Sequence, residues 1–236
     1  TGRKPALERP ALGVFNHEAT AYHEGSHTLY LTEDMPDGGL YRFTPSQMRA
    51  DGYADLAAGT LEIAQVSSEN TPGAVTWHRI DDPAGTEVQT RYQVAARTAF
   101  NGGEGIVCVG DLVSFTTKGD NRVWSYNIAD QSIRAIYDRA SSDNPILAGV
   151  DNIIADFSGT YLVAEDGGDM QIVILTAEGE LFPLLQLLGQ DASEITGPAF
   201  SPDGSRLYFS SQLGTTGHPA DGISYEVTGP FFTTKA

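Results

Sequence analysis

Hydrophobic and polar residues alternate along many short stretches of this chain. In "DNRVWSYN" (residues 120–127), Val123 and Ser125 would lie on one face of a strand, and Trp124 and Tyr126 on the other. Successive side chains of a β-strand point to opposite faces of its sheet, so the pattern predicts a strand. Strand–turn–strand pairs of this kind, with Asp, Gly or Lys in the turns, recur at residues 27–43, 111–127, 159–175 and 205–227.

These strand pairs recur with a long and nearly regular period. Phe115 and Val163 are 48 residues apart, and Val163 and Phe209 are 46 apart. A weaker pair, at residues 60–66 and 74–80, fills the longer gap after the first pair. Several strands in each unit of about 40 to 50 residues are typical of a β-propeller. We therefore predict an all-β fold, a β-propeller with about five visible blade units and a sixth when complete.

The units are predicted to form one domain, residues 1–236. The alternative fold is a β-sandwich, in which strands would follow one another every 8–12 residues or so without self-similarity at long range. Helix is scarce, and "YQVAARTAF" (residues 92–100) is the candidate for a short turn or helix between blades.

The chain is strongly acidic, with 31 acidic and 14 basic residues and a formal net charge of −17. This balance argues against nucleic acid or an anionic membrane as a partner. No apolar run reaches the roughly 18 residues that a membrane span needs. The acidity serves either solubility or the binding of a hard cation such as Ca²⁺. The single cysteine, Cys108, excludes an internal disulfide, and its apolar surroundings in "GIVCVGD" predict a buried structural thiol.

Four carboxylates stand beside the first strands of different units: Glu18, Glu104, Asp151 and Glu194. In a propeller, residues at one blade position meet around the channel, so these four should face a shared volume. Their mutual repulsion predicts a cation between them. Glu18 and Glu104 are the strongest candidates for function, because small or apolar residues flank both at strand starts and a buried unpaired carboxylate is costly. The glycines of "GGEGI" would let the backbone approach a cation closely.

Other polar residues have ordinary explanations. In "SPDG", Asp203 is predicted to cap a hairpin turn. His17 could bind a metal or accept a proton, or it could be a packed, hydrogen-bonded residue. The acids that end "TED" and "AED" could be solvated turn residues or site residues: Glu33, Asp34, Glu165 and Asp166. No HExxH, P-loop, GxSxG or Cys–His arrangement is present, so a serine or cysteine nucleophile is unsupported.

Four segments resemble, in family order, the PhoX-type alkaline phosphatases and their shorter relatives: "FNHEATAYHEGSHTLYLTEDMPDGGLYRF", "FNGGEGIVCVGDLVSFTTKGDNRVWSYN", "DNIIADFSGTYLVAEDG" and "EITGPAFSPDGSRLYFSSQ". The resemblance spans nearly the whole chain. It implies a β-propeller that hydrolyses phosphate esters with a calcium- and iron-containing cluster at the channel mouth. It also implies export by the twin-arginine route, and so a periplasmic or extracellular location. Motif by motif, it makes Glu18, Glu104, Asp151 and Glu194 metal ligands, and we predict catalytic roles for Glu104 and Glu18.

The chain departs from the family pattern in two places. The phosphate-contacting arginine that lies two residues before the glutamate matching Glu104 is replaced here by Gly102. Lys118 or Arg122 could bind the substrate instead, or could lie on the solvated surface. The family's N-terminal "NH" and "TCEE" motifs would precede this chain, so we expect a truncated relative, and Cys108 cannot take the place of the iron-binding cysteine. The expected cofactor is Ca²⁺, while Fe³⁺ is implied by the family alone.

Three functions compete at this point. The first is metal-dependent hydrolysis of phosphoric monoesters, in which cations neutralise phosphate oxygens and activate an oxygen nucleophile. The second is a calcium-dependent, lactonase-like propeller hydrolase. The third is a non-catalytic or degenerate calcium-binding propeller, which the loss of the arginine and of the N-terminal ligands supports. The order of the motifs favours the phosphatase, and we predict a monomer that acts on a small phosphate ester.

Overall fold

The computed structural model describes the chain at residues 5–68, 72–156, 159–229 and 231. Within these ranges the helical segments are two single-turn 3₁₀ helices, Pro10–Leu12 and Thr90–Tyr92. The strands in the same ranges are β1 (His17–His23), β2 (Thr28–Glu33), β3 (Leu40–Pro45), β4 (Gly59–Val66), β5 (Gly73–Arg79), β6 (Gly103–Val109), β7 (Leu112–Thr117), β8 (Arg122–Asn127), β9 (Ser132–Asp138), β10 (Val150–Ala155), β11 (Tyr161–Glu165), β12 (Gln171–Leu175), β13 (Leu181–Gln186), β14 (Ile195–Phe200), β15 (Arg206–Ser211) and β16 (Ile223–Thr228).

The strands form antiparallel meanders of neighbours along the chain. We call these meanders blade 1 (β1–β4), blade 2 (β6–β9), blade 3 (β10–β13) and blade 4 (β14–β16). β5 pairs with β4 and also with the start of β9, where Gly73 lies opposite Ile133 and Ala74 opposite Ser132. Blades 1 and 2 are thereby joined into one nine-stranded sheet.

Both faces of blades 2 and 3 are buried, because each of these blades packs between two neighbouring blades. In β8, Trp124 and Tyr126 belong to a core shared with blade 1, and Trp77 of β5 donates a hydrogen bond of 3.1 Å to the Tyr126 hydroxyl. Val123, on the opposite face of β8, packs in a second core against blade 3. A further core joins blades 3 and 4. Twisted sheets stacked in this way are the architecture of a β-propeller, which confirms the predicted fold class.

The number of blades differs from the number of units that the period suggested. The weak pair at residues 60–66 and 74–80 forms β4 and β5, and β4 returns to β3 with Ile63 opposite Tyr41. The described residues therefore contain four blades, since alternation identifies a strand but not the strand with which it pairs. Residues 92–100, the candidate for a short turn or helix, form turns: the 3₁₀ turn ends at Tyr92, and a further turn follows at residues 95–96.

Candidate metal centre

The first strands of blades 1, 2 and 3 lie side by side, with β6 packed between β1 and β10. Each strand carries an acid at its second position: Glu18 in β1, Glu104 in β6 and Asp151 in β10. The pairing register of each strand shifts beside this acid and resumes two residues later, at Thr20, Ile106 and Ile153. A β-bulge bends its strand and changes the direction of the side chains. The same irregularity therefore positions all three acids.

The glycines beside Glu104 let β6 fit between its neighbours. A Cβ added to Gly105 would lie 2.6 Å from the backbone nitrogen of Ile153 in blade 3. A Cβ added to Gly103 would lie 3.1 Å from the carbonyl oxygen of Glu33 in blade 1. The motif "GGEGI" predicted that these glycines allow the close approach of a cation. The structure gives a different reason, which is the close approach of two neighbouring backbones.

Five carboxylates converge in two overlapping groups that share Asp151. Oxygen atoms of Glu18, Glu104 and Asp151 lie within 4.8 Å of one another, and so do oxygen atoms of Asp151, Asp166 and Glu194. We call these five residues the acidic centre. Glu104 and Asp151 are buried, Asp166 and Glu194 are half-buried, and Glu18 is exposed. The structure thus brings together the four carboxylates that were predicted as metal ligands, and adds Asp166.

Glu194 reaches the acidic centre by a different route from the other three predicted ligands. Thr196 is the second residue of β14 and so has the strand position that Asp151 has in β10. Glu194 instead lies just before β14, where its backbone forms an isolated bridge with Asp166. Equivalence of position among the blades therefore holds for Glu18, Glu104 and Asp151, whereas Glu194 arrives through its contact with the end of blade 3.

The acidic centre contains one cation of the protein itself. Lys118 follows β7, and its Nζ lies 2.7 Å from Glu104 Oε1, 3.1 Å from Asp166 Oδ2 and 3.4 Å from Asp151 Oδ2. About a third of the lysine side chain is exposed, 34%. The ammonium thus contacts both groups of carboxylates and balances one of their five negative charges.

The remaining negative charge leaves the carboxylates hard to ionise. Burial raises the pKa of Glu104 to about 7, although Lys118 acts in the opposite direction. Burial and the carboxylates of Asp166 and Asp151 raise the pKa of Glu194 to about 7. The pKa values of Glu18 and Asp151 are also raised, with desolvation as the largest cause. A bound cation would favour the charged forms and relieve this cost.

One family model, described as "Alkaline phosphatase PhoX", matches this chain. That model matches residues 3–121, half of the chain, and the match includes Glu18, Glu104 and Lys118. The chain belongs to the PhoX family. A search of the curated proteins found no match.

Among solved structures, Pseudomonas fluorescens PhoX in complex with vanadate, a transition state analogue, is similar with a TM-score of 0.68 and 18% identity. The match covers 86% of this chain and 50% of that chain, so this PhoX-family chain spans half the length of the solved PhoX. A nidogen–laminin complex is similar with a TM-score of 0.54 and 16% identity, covering 90% of this chain and 65% of that chain. At these identities the similarities show the fold alone.

The structure separates the two cations that were predicted to bind substrate. Lys118 lies in the acidic centre of this PhoX-family chain, as described above. Arg122 is engaged within blade 2, where its Nε lies 3.1 Å from Asp138 Oδ2 and its guanidinium carbon lies 5.4 Å from the centre of the Trp124 ring. Of the two, Lys118 is the one that the fold brings to the carboxylates.

His17 and Cys108 have structural surroundings. The ring of His17 stacks on Phe15 at 3.7 Å between centroids, and its Nε2 lies 3.0 Å from the carbonyl oxygen of Gly13. Cys108 is partly buried and donates to the carbonyl of Gly110, and burial raises the pKa of its thiol. A raised pKa disfavours the reactive thiolate.

The acids that end β2 and β11 are fully buried and not solvated. The N–H groups of Ala148 and Gln171 donate to Glu165 at 2.8 and 2.9 Å. The donors to Glu33 are the N–H of Gly39, the hydroxyl of Tyr41 and the guanidinium of Arg91. Both glutamates therefore tie their strands to neighbouring loops. Of the acids that follow them, Asp166 belongs to the acidic centre, and Asp34 is exposed but close enough to raise the pKa of Glu18.

The acidic centre fits a hard divalent cation. Its ligand atoms are carboxylate oxygens, which Ca²⁺ prefers. Glu104 is only 2% exposed, and the ammonium of Lys118 lies 2.7 Å from its Oε1. A buried carboxylate needs a positive charge beside it, which a bound cation can also supply. Within the described residues, the groups that could hold a metal consist of carboxylates.

Proposed function

We propose that this chain is a metal-dependent phosphoric monoester hydrolase whose cation site is the acidic centre. The observation that carries the proposal is the convergence of Glu18, Glu104 and Asp151, which three successive blades present at matched bulges. Membership of the PhoX family supports a small phosphate ester as the substrate. Because the chain spans half of the solved PhoX, both its activity and its substrate are part of the proposal.

The five carboxylates divide into two sets that would each hold a cation. Glu18, Glu104 and Asp151 form one set, and Asp151, Asp166 and Glu194 form the other. When bound, Ca²⁺ would supply positive charge that polarises phosphoryl oxygens and lowers the pKa of water. Glu104 is a buried anchor of the site, whereas Glu18 reaches it from the solvent side. We assign both residues catalytic roles through the cation that they would hold.

Lys118 is the protein group best placed to bind the phosphate. Its ammonium is a compact charge on a flexible stem, and a third of the side chain is open to solvent. The backbone at Gly102 has φ +69°, a conformation that side-chain-bearing residues rarely adopt. An arginine at position 102 would be strained in this backbone conformation. Lys118 would supply instead the positive charge that the arginine supplies in the family pattern.

Hydrolysis of p-nitrophenyl phosphate tests this function. We expect turnover with added Ca²⁺ that is lost after chelation and returns when calcium is restored. Glu104→Gln removes a buried ligand charge with little change in shape. It should lower kcat/KM at least about 100-fold, because replacing a residue that only orients a metal ligand already lowers activity by about 10- to 100-fold. The matched control is Glu178→Gln, at an exposed glutamate between β12 and β13, which should retain full activity.

Calcium-independent turnover, or equal losses in the two glutamine variants, would contradict the proposed role of the acidic centre. Calorimetric titration with Ca²⁺ on the same proteins separates binding from chemistry. Glu104→Gln should weaken calcium binding, and Glu178→Gln should leave it unchanged.

A calcium-binding propeller without catalysis is the second candidate. Gly102 favours this candidate, because it stands where the family pattern has a phosphate-contacting arginine. Tight calcium binding with no turnover of p-nitrophenyl phosphate or of other phosphate monoesters would support this candidate over the hydrolase.

Membership of the PhoX family supports a proposal for the location of this chain. PhoX-family proteins are typically exported, so we propose a periplasmic or extracellular location for this chain as well. In the part of the chain that the structure describes, no helix has the length and hydrophobicity to cross a bilayer. A monomeric state remains a prediction.

A further inference from the structure

Lys118 occupies a blade position at which the neighbouring blades carry an acid. Glu33 ends β2 and is followed by Asp34, and Glu165 ends β11 and is followed by Asp166. Thr117 ends β7 in the same register and is followed by Lys118. Blade 2 therefore places a positive charge where blades 1 and 3 place a negative one.

The ammonium contacts the oxygen atoms that a metal would need. It lies within ion-pair distance of Glu104, Asp151 and Asp166, at 2.7 to 3.4 Å. These residues belong to both groups of the acidic centre, with Asp151 common to the two. A divalent cation in either group would approach oxygens that the ammonium already contacts, and the two positive charges would repel each other at short range.

We propose that Lys118 is the resident counter-cation of the metal-free acidic centre, and that a divalent cation must displace its ammonium from the carboxylates in order to bind. The proposal rests on the cation site of the proposed function. The partial exposure of the side chain gives the ammonium a path towards solvent. Lys118 thereby lowers the affinity for metal, and its ammonium becomes available to an incoming anion only once a metal is bound.

The first test is calorimetric titration with Ca²⁺ at fixed ionic strength. Lys118→Gln should bind calcium at least about tenfold more tightly than the unaltered chain, because removing a nearby unit charge is worth that much or more at short range. Lys118→Arg keeps the charge and should bind calcium weakly. Arg122→Gln removes the same charge from a guanidinium that pairs with Asp120 and Asp138 within blade 2, and should change the Kd by less than about twofold, since a charge outside direct contact with the ligands is screened by salt.

The second test needs no substitution, and so it does not depend on whether a variant folds. The chain has three lysines, Lys4, Lys118 and Lys235. An amine-acetylating reagent followed by peptide mass spectrometry reports the reactivity of each. Calcium should increase the acetylation of Lys118 severalfold relative to Lys4 and Lys235, because displacement from the carboxylates exposes the amine.

The outcomes distinguish this inference from the proposed function. Calcium binding with equal Kd in the unaltered chain and Lys118→Gln, or acetylation of Lys118 that calcium leaves unchanged, would overturn the displacement of Lys118 alone. Absence of calcium binding in both the unaltered chain and Lys118→Gln would overturn the cation site as well. If Arg122→Gln shares the increase in calcium affinity in full, the displacement of Lys118 is overturned, because the increase then reflects the overall charge of the chain.

Discussion

Asn152 connects the acidic centre to blade 4. Its Nδ2 donates to Asp151 Oδ1 at 2.7 Å, and its Oδ1 accepts from the N–H of Gly197 at 2.6 Å and from the hydroxyl of Thr196 at 3.2 Å. The amide therefore holds the carboxylate shared by the two groups while it is held in turn by the neighbouring blade. Such outer partners orient metal ligands.

Asn152→Ala should weaken calcium binding about tenfold, in the range typical for loss of a group that orients a ligand. The exposed loop residue Asn144 provides the control, and Asn144→Ala should leave the Kd unchanged. Both can be measured by calorimetry alongside the midpoint of thermal unfolding in chelator. A lowered midpoint with an unaltered Kd would show that Asn152 joins two blades without orienting Asp151.

At the residue scale, sequence predicts the acids of the first strands but not their surroundings. Glu104 was identifiable because glycines flank it at a strand start. Asp166 was not distinguishable from a solvated turn acid, because the bridge that pairs its backbone with Glu194 joins the end of blade 3 to the segment before blade 4. Glu165 shares the same motif and is tied to backbone N–H groups instead. Adjacent acids with opposite roles cannot be separated by composition alone.

Buried threonines connect the second strand of one blade to the bulge of the next. Thr32 in β2 donates to the carbonyl of Glu104, and Thr116 in β7 donates to the carbonyl of Asp151. Both threonines are buried. Each hydrogen bond satisfies a carbonyl that the bulge removes from its own ladder, so that the acid and its anchor come from different blades.

Thr116→Val keeps the shape of the side chain and removes this donor. A buried carbonyl left without its partner costs about 1–3 kcal/mol, so the free energy of unfolding should fall by that amount. Thr76 is exposed on β5, and Thr76→Val should change the stability by less than about 0.5 kcal/mol. Urea unfolding in chelator measures both, and equal stabilities for the two variants would mean that the hydrogen bond between blades is dispensable.

At the element scale, the period predicted the strand pairs and the propeller class, but not the assignment of strands to blades. The second and third strands of blades 1, 2, 3 and 4 are the strands of the predicted pairs, whereas the first strand of each blade lies outside them. The pair that became β4 and β5 carries the same alternation. Its attachment to blade 1 depends on the register between β3 and β4, with Phe43 opposite Leu61, which is a contact between segments distant in sequence.

At the scale of the whole molecule, the excess of acid makes stability depend on pH and on cations. The net charge is −17, and three buried or half-buried glutamates have pKa values raised to about 7: Glu104, Glu165 and Glu194. Their reference pKa is 4.5, so between these values the folded state binds more protons than the unfolded state. Stability must then fall as the pH rises across that window.

We therefore expect the free energy of unfolding in chelator to decrease from about pH 4.5 to about pH 7 and to level off above it. Saturating Ca²⁺ should reverse much of the decrease, because a cation stabilises the ionised forms of Glu104 and Glu194. Glu165 lies outside the acidic centre, so calcium should not reverse its share of the decrease in stability with pH. Glu165→Gln should remove that share. Urea unfolding at a series of pH values, with and without calcium, measures all three effects. Stability that rises across this range in chelator, or a slope that calcium does not change, would contradict the assignment of these carboxylates to a cation site.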